Sequence, residues 1–220
     1  MSIKENIEKL KAVVPKDVKI VAVSKFHSNE EILEAYNTGQ RIFGESRVQE
    51  LVQKQRELPN DIEWHFVGGL QRNKVKQIAP FISLIHSLDS ERLMREIDKQ
   101  GKARDRVINC LLQIHIAEEE TKSGFSSEEC RALFEEGVWK EFKNIQISGL
   151  MGMATFTNDI DKLKGEFSQL KALFEEFKAD YFADDFSFKE LSMGMTGDYP
   201  LAIEEGSTMI RVGTLIFGDR

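Results

Sequence analysis

IVAVSKFHSN, residues 20–29, contains the unit on which the fold is read. Ile20 to Val23 form an unbroken apolar run, the pattern of a strand covered on both faces. Ser24 and Lys25 end that run. Ser28 and Glu31 then form a capping box, in which a serine hydroxyl and a glutamate carboxylate satisfy each other's backbone amides at a helix start. The same strand, loop and helix order recurs along the chain. Candidate strands lie at 19–23, 41–43, 63–67, 82–85, 107–116, 145–150, 188–191 and 209–212. Between them, helical patterns lie at 30–37, 45–58, 73–78, 89–100, 126–136, 159–179 and 197–205. The fourth of these is expected to end at Gly101, and the sixth carries Ile160, Leu163, Phe167, Leu170, Phe174 and Phe177 on one stripe. Eight strands alternating with helices predict a parallel sheet closed as a single (β/α)8 TIM barrel. An open doubly wound sheet is the alternative, but no GxGxxG follows the first strand. A helix at 3–13 precedes the first strand and is expected to cover one end of the barrel. No linker interrupts the pattern, so residues 1–220 are read as one domain.

Composition narrows the function. The formal charge of -7 argues against general nucleic-acid affinity. The basic cluster Arg72, Lys74 and Lys76 reads as a solvated helix face, with a contact to a phosphate as the alternative. Cys110 and Cys130 fit neither a metal spacing nor a CxxC motif. Two unpatterned cysteines suit a reducing cytoplasm. The amphipathic start MSIKENIEKLKAVV has no signal core. No apolar run reaches the ~20 residues that span a bilayer. His27, His86 and His115 form no zinc spacing, so no metal is expected. A soluble cytoplasmic monomer follows as the expectation.

In a barrel, functional groups gather at the C-terminal ends of the strands. Lys25 falls there. An amine against apolar walls loses part of its preference for the charged form, and a neutral amine attacks carbonyls to form a Schiff base. The plain alternative is a lysine whose stem packs while its head reaches water. After the seventh strand comes LSMGMTGDYP, 191–200, a Ser/Gly/Thr turn entering a helix. After the eighth come Gly213 and Thr214. Loops after strands seven and eight are where barrels most often hold a phosphate, and Ser192, Thr196 and Thr214 offer hydroxyls. Arg211, inside the last strand, needs an acceptor for its buried charge. Amine, phosphate cradle and inward arginine together suggest pyridoxal 5′-phosphate (PLP), which offers an aldehyde, a phosphate and a ring nitrogen.

At this point the chain resembles the pyridoxal phosphate homeostasis proteins, single-domain relatives of the N-terminal barrel of alanine racemase. The resemblance rests on VAVSK (21–25), FGESRVQE (43–50), WHFVGGLQRNK (64–74), HSLDS (86–90), TKSGF (121–125), ISGLMGMAT (147–155) and the stretch 191–218. It implies PLP held as a Schiff base on Lys25 and a role in vitamin B6 homeostasis. The implied cofactor residues are Lys25, Ser46, His65, Ser192, Met193, Thr196, Arg211, Gly213 and Thr214. Arg211 would face the pyridine nitrogen and disfavour its protonation. Ser46 stands where relatives often have Asn, so a contact there is in question. His65 is read either as orienting the cofactor or as a core histidine. Lys122 is read either as a second amine near the site or as a loop lysine.

The resemblance also implies what a racemase would need in addition. Alanine racemase has a β-rich second domain that brings a catalytic tyrosine, and here the sequence ends at Arg220. Of Tyr36, Tyr181 and Tyr199, only Tyr199 is expected near the phosphate end. Two-base racemisation then lacks one base. The expected function is a cytoplasmic PLP carrier without robust catalysis that hands the cofactor to apo-enzymes. A weak PLP-dependent racemase and a cofactor-free Schiff-base aldolase are the rival readings.

Overall fold

The computed structural model describes residues 2–118 and 123–218. Eight parallel strands close into a barrel in chain order. They are β1 (Lys19–Val23), β2 (Ile42–Glu45), β3 (Glu63–Phe66), β4 (Leu84–Leu88), β5 (Ile108–Ile114), β6 (Ile145–Gly152), β7 (Glu190–Ser192) and β8 (Met209–Val212). Closure sets Lys19 of β1 opposite Met209 of β8, and Val21 opposite Arg211. The predicted (β/α)8 barrel is the observed fold.

Side chains alternate across each strand. In β1, Val21 enters a small inner cluster with Leu84, Leu111, Met151 and Met209, while Ala22 joins the larger outer cluster beneath the helices. The outer layer consists of α2 (Asn29–Asn37), α3 (Val48–Glu57), α4 (Val75–Ile78), α5 (Glu91–Lys102), α6 (Ser127–Glu135), α7 (Ile160–Tyr181), α8 (Tyr199–Glu204) and α9 (Thr214–Phe217), with α1 (Ile3–Val13) ahead of the first strand. Ser28 and Ser126 cap α2 and α6 with complete capping boxes, as their sequences predict.

α1 does not cover an end of the barrel. It packs sideways against α9 and α2, burying Ile3, Ile7 and Leu10. The physical reason is the brevity of α9, whose four residues cannot fill the eighth outer position. Local readings change as well. Glu45 belongs to β2, and α3 starts at Val48. α5 runs through Gly101, which is a glycine because a Cβ there would sit 2.8 Å from the carbonyl oxygens of Arg106 and Asn144. β7 starts at Glu190, two residues later than expected. Ile160 is exposed at the first residue of α7, whereas the rest of its stripe is buried.

Candidate functional site

A cavity of about 720 Å³ opens at the C-terminal ends of the strands. Lys25, Ser46, Thr196, Arg211, Gly213 and Thr214 all line it. Six of the nine sequence-predicted residues therefore meet in one place. His65, Ser192 and Met193 do not line it and are buried in the barrel wall or interior. Lys122 lies outside the described residues. A second, polar cavity of about 320 Å³ lies at the opposite end, lined by Lys19, Glu63, His65, Asn109 and Glu190 among others.

The turn that carries Lys25 is held from below. Ser24 donates its backbone N–H to Gly44 and its hydroxyl to Glu45 Oε1, at 2.9 and 2.7 Å. Lys54 Nζ, buried under the turn, donates to Ser24 O (2.8 Å), Glu45 Oε1 (2.7 Å) and Glu50 Oε1 (2.8 Å). All three ammonium protons are thus used. Glu50 also accepts the Phe26 N–H at 2.6 Å. Phe26 needs that support because its φ is +69, a left-handed value rare outside glycine. The Arg47 guanidinium lies 4.3 Å over its ring. Burial pushes the Glu45 carboxyl up, and Lys54 pulls it back. Glu45 Oε2 is buried with no hydrogen-bond partner.

Across the cavity, Arg211 fills the place where a charge needs acceptors. It donates to Ser192 Oγ at 2.6 Å and to the Gly152 carbonyl at 2.9 Å. Burial lowers its pKa to about 10, and the Asp198 charge opposes that shift, so it stays a cation at neutral pH. Below it, Ser192 Oγ lies 3.0 Å from His86 Nδ1, and His86 Nε2 lies 3.0 Å from His65 Nδ1. Burial holds both imidazoles well below their ordinary pKa.

At the rim, Thr214 and Thr196 hydroxyls meet at 3.1 Å. Gly213 sits just before α9, where a Cβ would come 3.1 Å from Val23 O. Ser46 is pinned by Gly68, whose missing Cβ would be 2.5 Å from the Ser46 carbonyl oxygen. Tyr199 packs against the outer core and is not among the cavity residues, and Tyr36 donates its hydroxyl to Asp61.

Sequence reading missed several site groups. His27, Gln113, Met153 and Asn158 also line the cavity. Lys54, Glu45, Glu50 and His86 support it from outside its lining. HSLDS carried a signal for His86, but its partners Ser192 and His65 lie on two other strands. Among the described residues, no three His, Cys, Asp or Glu side chains gather as a metal site. No helix among them is long and apolar enough to cross a membrane.

The donor set matches one small molecule with three different handles. An amine suits an aldehyde, hydroxyls and glycine amides suit a phosphate, and a guanidinium that only donates suits an aromatic ring nitrogen. Comparison with known proteins gives the same direction. A family model described as alanine racemase, N-terminal domain, matches residues 1–220. The pyridoxal phosphate homeostasis protein of Aquifex aeolicus is 39% identical over 203 residues, covering 92% of this chain and 87% of that one. The structure of PipY of Synechococcus elongatus PCC7942 without PLP superposes with a TM-score of 0.92 at 36% identity, covering 99% of this chain and 100% of that one. The same protein with PLP bound gives 0.88, at the same identity and coverage.

Proposed function

The chain belongs to the alanine racemase N-terminal domain family and, within it, to the pyridoxal phosphate homeostasis proteins, and from that premise we propose that it binds PLP and serves intracellular vitamin B6 homeostasis as a carrier. The observation that carries the reading is the convergence of Lys25, Arg211, Thr196 and Thr214 on one cavity. Lys25 is the amine that holds the aldehyde. Thr196, Gly213 and Thr214 take the phosphate, and Arg211 faces the ring nitrogen. Ser46 touches the cofactor only from the wall that Gly68 fixes. Ser192, Met193 and His65 act from behind that surface, and Ser192 does so by holding Arg211. When bound, the cofactor supplies an aldehyde that condenses with an amine and loses water.

The whole chain, 1–220, works as one unit in this reading, a cytoplasmic monomer that passes PLP to apo-enzymes. Weak catalysis at most is expected. Among the described residues no tyrosine lines the cavity, and the His27 Nδ1 that does is engaged by Glu31 at 3.2 Å. An amino acid would then find Lys25 without the tyrosine partner of two-base racemisation.

Absorbance of the purified protein, then borohydride reduction and peptide mapping, tests this. A yellow protein with a reduced pyridoxyl group on Lys25, and none on Lys25→Ala, is the expected result. A colourless protein that takes up no added PLP would overturn it and favour the aldolase reading. Proton exchange at the α-carbon of added amino acids would overturn the carrier reading in favour of a racemase.

A further inference from the structure

A file of polar side chains crosses the apolar barrel from one cavity to the other. Arg211 lines the upper cavity and His65 the lower. Between them stand Ser192 and His86, both fully buried. The four residues come from β8, β7, β4 and β3. Their contacts are 2.6 Å, 3.0 Å and 3.0 Å. An apolar filling would fit a barrel interior without the cost of burying polar groups, so this file calls for a reason.

Its proton arrangement can be worked out. A guanidinium only donates, so Ser192 Oγ accepts from Arg211. Among the described residues the hydroxyl's other partner is His86 Nδ1, so the Ser192 proton goes there. His86 Nδ1 is then an acceptor and its Nε2 carries the hydrogen, which is donated to His65 Nδ1. His65, which lines the lower cavity, in turn carries its hydrogen on Nε2. Every bond in the file runs away from Arg211. The charged groups around the pair oppose protonation of either ring: Arg211 lies above and Lys19 below. Glu190, in the lower cavity, is already paired with Lys19, and Glu63 lines the same cavity.

We propose that His86 and His65 are positioning residues, which through Ser192 fix the Arg211 guanidinium at the cavity floor by neutral hydrogen bonds in place of a carboxylate. The file anchors the charge of Arg211 without cancelling it; the carboxylate that does act on Arg211, Asp198, lines the same cavity and stands outside the file. For the bound cofactor, this inference rests on the PLP reading above. A carboxylate in the place of the Ser192 hydroxyl, which is the side chain that meets Arg211, would hold the same guanidinium but would neutralise it.

Two measurements test the proposal. The first needs no cofactor. Long-range ¹H–¹⁵N spectra of the unliganded protein, assigned with H65Q and H86Q, should show both rings as neutral Nε2–H tautomers from pH 8 to pH 5. An imidazolium in that range, or a hydrogen on His86 Nδ1, overturns the proposal. The second uses PLP. H86L should shift the absorbance maximum of the bound cofactor and weaken its binding about tenfold, the loss expected when a hydrogen bond to a charged group is disturbed. H86Q, whose amide can accept from Ser192 and donate to His65, should restore both. A folded H86L with the wild-type spectrum and affinity overturns the positioning role. A wild type that binds no PLP would sink the binding reading alone, and the tautomer spectra would still decide the proton file.

Discussion

Lys54 shows what a sequence conceals at the scale of one residue. It reads as one more exposed lysine on a polar helix, but its side chain is 6% exposed and it bonds Ser24 O, Glu45 and Glu50. Nothing local marks it, because Glu45 reads as helix and its place in β2 is set by pairing with β3. Lys25 is legible because it ends an apolar run. The groups that hold it are not, because they meet only after folding. Lys54→Met leaves the buried Glu45 carboxylate without its cation, at a cost of about 3–5 kcal/mol, read as a lowered urea midpoint at pH 7. A midpoint within error of wild type would show that the network contributes little. His65 gives a prediction with a sign. Burial, helped by the Lys19 charge, holds its pKa at about 3. Below the ordinary imidazole value of ~6.5 the unfolded chain takes up a proton that the folded ring refuses. This contribution to stability is complete above that value and is lost as pH falls towards 3. Between pH 6 and pH 5 it amounts to at most about 1.4 kcal/mol per pH unit, and His65→Gln should remove it. Equal slopes for variant and wild type would refute the assignment.

At the scale of elements, sequence pattern finds strands and caps well but misses irregularities. The register between β5 and β6 shifts between Cys110 and Leu111, where Gly149 sits opposite. Its φ is +148, and a Cβ would come 1.8 Å from the Glu190 carbonyl oxygen. ISGLMG reads as an ordinary strand, because a bulge is set by its neighbours' spacing and leaves no periodic trace. The shift brings Gly152 to where its carbonyl accepts from Arg211. Gly149→Ala should therefore cost at least about 3 kcal/mol and disturb the Arg211 anchor as well. Soluble expression, denaturant midpoint and PLP uptake would measure both effects, and an Ala variant with unchanged midpoint would contradict the strain argument. The boundaries misplaced in the sequence reading have similar causes. α5 continues through Gly101 because tight packing, and not a turn, selects that glycine.

For the whole molecule, the barrel is legible because a parallel sheet buried on both faces writes itself as apolar runs spaced by helices. Its polar interior is not, since His65, His86, Ser192 and Arg211 each look isolated within an apolar strand until closure joins them. The place of α1 is likewise a property of the closed ring. A sequence shows an extra helix but not that α9 leaves a gap in the outer layer. α1 fills that gap, and Asn6 Nδ2 donates to Ile216 O in α9 at 3.0 Å. α9 starts immediately after Gly213, so α1 braces the element beside the cavity rim where Thr196 and Thr214 meet. Ile7, 1% exposed, is the most buried residue of α1, and Val13, 67% exposed, is the last residue of the same helix. Ile7→Ala removes buried methyl groups and leaves a cavity, costing about 2–5 kcal/mol. For a chain of this size that is a fall in Tm of roughly 4–20 °C. Val13→Ala should stay within about 0.5 kcal/mol. A brace predicts the large difference between the two variants in thermal unfolding. A helix merely resting on the barrel would give two small and similar shifts, and that result would remove α1 from the account of what holds the eighth position shut.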